Sequence, residues 1–174
     1  FKNISHPGDV HDVAFENAQA RERTQILMDV ANKEGGLVIG TGDLSEIALG
    51  WSTYNGDHMS MYAVNSGIPK TLIRYIIAWF AENSDERLRT LLEDISKTPV
   101  SPELIPPGKD GKLTHKTESI IGPYELHDFF LYHLLRFGGG PRRLARLALH
   151  AFAGRYDLAT IRAWLIVFVR RFFA

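Results

Sequence analysis

Apolar residues recur at helical spacing along most of the chain, and only two short apolar runs have the length of strands. Residues 15–32 place Ala18, Ala20, Ile26, Leu27, Val30 and Ala31 on one side and charges on the other, which predicts a helix with a charged outer face. Leu37-Val38-Ile39, bounded by Gly35-Gly36 and Gly40, reads as a short buried strand. Leu44, Ile47, Ala48 and Leu49 begin a short helix directly after it, and residues 60–65 are short enough for a second strand before Ser66-Gly67 breaks them. Pro69 suits the first turn of a helix carrying Leu72, Ile73, Ile76, Ile77 and Phe80 on one side. Asn83 with Glu86 is expected to cap the next, which carries Leu88, Leu91, Leu92 and Ile95.

Residues 99–111 hold four prolines and two glycines, a density that predicts a loop. After it the pattern is helical: 124–137 behind Pro123, 142–152 behind Gly138-Gly139-Gly140-Pro141, and 158–173 capped by Asp157. The predicted organisation is an α/β part over 1–98, a Pro/Gly-rich loop over 99–123 and a helical part over 124–174. The chain of 174 residues is one domain's worth, and 45% hydrophobic content suffices for a packed core. Lys and Arg balance Asp and Glu at 20 each, so the overall field gives no reason to expect nucleic acid or an acidic membrane as partner. No cysteine is present, which excludes disulfides and thiolate sites and fits a reducing compartment, with the cytoplasm as the expected location. No apolar run approaches the ~20 residues of a membrane-spanning helix.

The densest chemistry is Gly40-Thr41-Gly42-Asp43-Leu44-Ser45-Glu46, where a strand passes into a helix, the place at which open parallel sheets bind ligands. Thr41 and Glu46 offer hard oxygens that could hold Mg2+ against phosphates, and the helix amides there attract negative charge. Asp43 and Glu46 also have the spacing of an ordinary capping box. Trp51 could stack on a flat heterocycle or simply fill core volume. Tyr54-Asn55-Gly56-Asp57-His58 could present a carboxylate and an imidazole, and it is also good turn chemistry. Asn17 and Arg21, four apart, share a helix face able to meet an anion, while Lys70 at a helix start sits where the dipole disfavours a cation unless an anion is close. No histidine pair has the spacing of a helical zinc site.

Taken in order, Asn17-x-x-x-Arg21, Gly40-Thr41-Gly42-Asp43-Leu44-Ser45-Glu46, Trp51-Ser52-Thr53-Tyr54-Asn55-Gly56-Asp57-His58 and Pro69-Lys70-Thr71 resemble the synthetase domain of NAD+ synthase. Pro102-Glu103-Leu104, the run from Gly122 through Phe130 and the closing Arg170-Arg171-Phe172-Phe173 resemble its larger, glutamine-dependent form. The resemblance implies a Rossmann-like α/β domain of the adenine-nucleotide-hydrolase, PP-loop ATPase type, helix-rich in its C-terminal half. It implies that ATP with Mg2+ adenylylates the nicotinate carboxylate of deamido-NAD+, and that ammonia from a glutaminase domain displaces AMP. By the same resemblance Thr41 and Lys70 face ATP and Glu46 the metal or the substrate. Asn17, Arg21, Trp51, Asp57 and His58 would then line a deamido-NAD+ pocket built at a homo-oligomer interface. Small ammonia-dependent members carry a Lys where Tyr54 stands, so no cation role carries over there.

The Ser-Gly-Gly-x-Asp-Ser loop of PP-loop ATPases does not occur in the chain. With Phe1 at its start and a helical pattern still running at its end, the chain is expected to be a fragment that cannot complete the reaction alone. Another PP-loop amidase, such as a GMP or asparagine synthetase, and a non-catalytic dimerisation module are the competing readings.

Overall fold

The computed structural model describes residues 2–7, 9–98 and 120–174. After a 3-10 turn at Lys2–Ile4 come α1 (Val13–Glu34), β1 (Ile39–Gly40), α2 (Leu44–Leu49), β2 (Tyr62–Ala63), α3 (Lys70–Glu82) and α4 (Glu86–Lys97), then α5 (Tyr124–Phe137), α6 (Pro141–Ala151) and α7 (Leu158–Phe172). The two strands pair in parallel, Ile39 opposite Tyr62 and Gly40 opposite Ala63. Gly40 is required there, because a Cβ on it would lie 2.4 Å from Ser60 Oγ. The fold is thus α/β in kind and dominated by helices. Residues 99–111, expected to form a loop, lie outside the described residues.

Local chemistry sets the helix ends. Asp12 accepts from the amides of Ala14 and Phe15 at 2.9 and 3.0 Å and so starts α1 two residues earlier than its apolar pattern alone indicates. Asp157 caps α7 as predicted, accepting from Thr160 N at 2.7 Å. The cap of α4 differs from expectation: Asp85, not Asn83, accepts from Leu88 N at 2.9 Å. Asn83 instead ends α3, its side-chain amide donating to the Trp79 carbonyl at 2.7 Å. An aspartate at the position immediately before the helix outcompetes an asparagine two residues further out.

The core is built by α5, α6 and α7, with α2 packed onto α5 and α7. Leu126, Phe130 and Leu131 of α5 interlock with Leu144 and Ala148 of α6 and with Ile161, Leu165 and Phe168 of α7, and Leu49 closes the cluster from α2. The strand is shorter and less buried than predicted: the paired residues are only Ile39 and Gly40, and Leu37 and Ile39 are 59% and 52% exposed. A two-stranded sheet covers one edge of each strand and neither face. For the same reason the apolar stripe of α1 is open, with only Ala20 and Ala31 buried, and Tyr75, Trp79 and Phe80 of α3 stand in solvent.

One joint fixes how α5 enters this core. His127 is 1% exposed, ringed by Phe130, Trp164 and Phe168, and its Nε2 lies 2.5 Å from the Ile121 carbonyl. A carbonyl only accepts, so Nε2 carries the proton. Nδ1 is buried without a partner among the described residues. Burial lowers the pKa of His127 below the ordinary 6.5, outweighing the Ile121 carbonyl and the Asp128 charge, which act the other way. The next residue, Gly122, has φ of 95° and lies against Trp164, where a Cβ would come within 2.4 Å of the indole.

Two outcomes follow for stability, both read by urea unfolding. Gly122→Ala forces a side chain into a left-handed backbone and into the indole, and is expected to cost about 2–4 kcal/mol. A histidine whose folded pKa is depressed leaves stability unchanged while both states are neutral. Below the ordinary value the unfolded chain takes up a proton that the folded chain refuses, so stability falls with pH until the folded value is reached, by at most about 1.4 kcal/mol per pH unit. His127→Gln, which keeps a donor and removes the titration, is expected to flatten that slope.

Candidate functional site

The Gly40–Asp43 turn carries the chain from β1 into α2, and Asp43 and Glu46 form a full capping box. Asp43 Oδ1 accepts from Glu46 N at 2.9 Å, and Glu46 Oε2 accepts from Asp43 N at 3.1 Å. The second oxygen of each carboxylate goes to one cation from another element: Lys70 Nζ lies 2.7 Å from Asp43 Oδ2 and 2.9 Å from Glu46 Oε1. The Lys70 ammonium also stands 5.2 Å from the centre of the Tyr124 ring. Burial by itself would lower the Lys70 pKa, but the hydrogen bonds to Asp43 and Glu46 and the charges of both outweigh it and hold the ammonium above its ordinary 10.5. Two carboxylates against one ammonium leave this cluster with one negative charge in excess.

Sequence reasoning gave Glu46 and Lys70 separate tasks, and the structure brings them into contact. It also reassigns the α2 amides, expected to attract an anion. Leu44 N donates to the Ile68 carbonyl at 3.1 Å and Glu46 N to Asp43, so two of the first three amides are already engaged. Thr41 is exposed and makes no hydrogen bond among the described residues, which leaves its hydroxyl open to a ligand.

For Mg2+, no group of three or more His, Asp or Glu side chains among the described residues forms a cage. This ion is ordinarily held by one or two carboxylates together with substrate phosphates. Glu46, 26% exposed at its side chain beside the nearly closed Asp43, fits that shared arrangement.

A second cluster forms where the turn after Trp51 docks on α1. Thr53 is its centre: its hydroxyl donates to Asn17 Oδ1 at 2.8 Å, its amide donates to Asp57 Oδ2 at 3.1 Å, and its carbonyl accepts from His58 Nδ1 at 3.1 Å. Asn55 takes φ of 56°, which an asparagine tolerates, so the turn reading of Asn55-Gly56 is realised together with the grouping of Asn17, Asp57 and His58. The Thr53 carbonyl only accepts, so His58 Nδ1 is the donor in this contact. Arg23, which sequence reasoning passed over, pairs with Asp57 Oδ1 at 2.8 Å. Arg21 is exposed and unpaired among the described residues.

Trp51 sits between these clusters. The Arg171 guanidinium lies 5.0 Å from the indole centre and donates to the Leu49 carbonyl at 3.3 Å. Arg171 therefore covers part of the ring, and the half-buried indole also packs against the core cluster. Arg171 belongs to the closing Arg170-Arg171 pair, whose contact with Trp51 spans most of the chain and leaves no local sign in the sequence.

The chain as a whole is similar to known proteins. Residues 1–125 match the family model for NAD synthase. The chain is 43% identical over 196 residues to a glutamine-dependent NAD(+) synthetase of Mycobacterium leprae, covering 99% of this chain and 29% of that protein. It is 44% identical over 194 residues to one of Mycobacterium tuberculosis, covering 98% of this chain and 28% of that protein. Among solved structures, a glutamine-dependent NAD(+) synthetase from Cytophaga hutchinsonii superimposes with a TM-score of 0.69 at 22% identity, over 98% of this chain and 25% of that one. An NMN synthetase from Francisella tularensis gives a TM-score of 0.54 at 20% identity, over 82% of this chain and 53% of that one, and shares the fold. The chain spans under a third of the length of these curated relatives. With more than half of it inside the family match and relatives above 40% identity along nearly its whole length, this chain belongs to the NAD synthase family.

Proposed function

We propose that this chain forms part of the synthetase site of an enzyme that amidates deamido-NAD+ to NAD+ at the expense of ATP, with ammonia drawn from glutamine. The observation that carries the reading is the meeting of Asp43, Glu46 and Lys70 at the carboxyl end of β1, with the Thr41 hydroxyl exposed beside them. Activating a carboxylate for attack by an amine needs acceptors and donors of both signs aimed at phosphate and carbonyl oxygens. The two parallel strands are read as part of a Rossmann-like sheet of the PP-loop ATPase type.

In this reading the nicotinate carboxylate attacks the α-phosphorus of ATP, pyrophosphate leaves, and ammonia then attacks the acyl carbon and expels AMP. Thr41 faces ATP. Lys70 neutralises phosphate charge, turning toward it as Glu46 meets metal or substrate. Mg2+, when bound, supplies Lewis-acid neutralisation of the phosphate oxygens at Glu46. Asn17, Arg21, Asp57 and His58, grouped about Thr53 and α1, line the dinucleotide pocket together with Trp51. That pocket is completed at a homo-oligomer interface, and ammonia arrives from a glutaminase domain outside this chain.

The purified full-length protein, given deamido-NAD+, ATP, Mg2+ and ammonium, is expected to form NAD+, AMP and pyrophosphate in equal amounts. Preferential amidation of xanthosine monophosphate or aspartate would overturn the substrate assignment. Thr41→Ala and Glu46→Ala are expected to lower the rate roughly 10–1,000-fold, as removal of a charge-stabilising group does. Undiminished amide formation in both would remove the basis for this site. Chelation by EDTA should abolish turnover, and added Mg2+ should restore it.

A further inference from the structure

The residue before α3 is Pro69, which has no side chain able to cap a helix, so the first amides of α3 are satisfied from elsewhere. Lys70 N donates to Ser45 Oγ of α2 at 2.9 Å, and Thr71 N donates to Asp128 Oδ2 of α5 at 2.9 Å. Asp128 is 7% exposed and accepts two more hydrogen bonds, from Thr71 Oγ1 at 2.6 Å and from Ser45 Oγ at 2.5 Å. No ion pair of Asp128 is found among the described residues. A carboxylate in such a place costs more than an apolar side chain of similar size, and its three bonds only offset that cost. What it does supply is register, because one carboxylate joins α2, α3 and α5 at a single point.

That point lies next to the Lys70 cluster on every side. Ser45 precedes Glu46, Thr71 follows Lys70, and Tyr124, whose ring faces the Lys70 ammonium, stands one helical turn before Asp128. We propose that Asp128 is a positioning residue, which holds the start of α3 against α2 so that the Lys70 ammonium stays within reach of Asp43, Glu46 and the phosphate of a bound nucleotide. The phosphate part of this statement rests on the function proposed above; the placement of the ammonium does not.

The test is made on the full-length protein, first without substrate. Its amines are labelled with acetic anhydride, and Lys70 is compared by mass spectrometry with Lys33, whose side chain is 80% exposed. Lys70 should label slowly in the wild type. In Asp128→Asn its rate relative to Lys33 should rise about tenfold, the size expected for loss of hydrogen bonds to a charged group. Thr71→Val keeps the main-chain bond and loses only the hydroxyl, so it should give a smaller rise in the same direction, and it decides the matter alone if Asp128→Asn does not fold. An unchanged Lys70 rate overturns the proposal.

The second readout is kinetic. Asp128→Asn should raise the KM for ATP in the wild-type background and have little further effect in Lys70→Met. Equal increments in both backgrounds would mean that Asp128 acts elsewhere, and would also overturn the proposal. If the wild type makes no NAD+, the function reading fails while the labelling still decides the placement.

Discussion

Two acidic side chains at the start of α2, Asp43 just before it and Glu46 in its first turn, depend on one lysine from α3, and the rest of the site is arranged around that dependence. Asp43 is buried and Glu46 half-buried, and Lys70 is the only cation found within ion-pair distance of either among the described residues. Removing one partner of such a group is far more damaging than the pair itself is stabilising, because the others are left with charge that water no longer solvates. The arrangement therefore demands that α2 and α3 meet in one register. The lysine belongs to a helix whose N-terminal amides are capped from two other helices, so the constraint passes from the strand end through α2 and α3 into the α5–α7 core. The candidate site at the carboxyl end of β1 and the α5–α7 packing are joined by a few polar contacts.

The sequence made the helices legible because their signals are local. Asp157 before α7 and Pro141 at the start of α6 each do what a single residue at a helix end does, and the Asp43 and Glu46 capping box formed as its spacing indicated. The strands were less legible. Leu37-Val38-Ile39 is apolar enough to suggest burial, but burial depends on what covers the sheet, and two paired residues per strand leave both faces open. Asn83 is the cap that the spacing to Glu86 suggests for α4, but Asp85 takes that place because its extended backbone stands at the last position before the helix.

Candidate chemistry showed the same division. Asn17, Asp57 and His58 stand out in two separate motifs, whereas Thr53, which joins all three, is by type an ordinary turn residue. Arg21 fits the pattern four residues from Asn17, yet it is Arg23 that reaches Asp57, since the approach of the turn to α1 is a tertiary matter. Asp128 left a readable mark: an acid flanked by Leu126, Phe130 and Leu131 on the apolar side of a helix is an anomaly that asks for a partner. Its partners lie 57 and 83 residues away, beyond any local pattern.

The contact of Arg171 with Trp51 has an optical corollary. The guanidinium covers the indole and at the same time grips the carbonyl that ends α2, so the last turn of α7 cannot shift without changing the polarity above that ring. Trp79 stands in solvent and Trp164 is wedged against Gly122, which gives the three indoles of the chain three distinct surroundings. The emission of Trp51 is thus a built-in gauge of whether the terminal helix is seated on the candidate site.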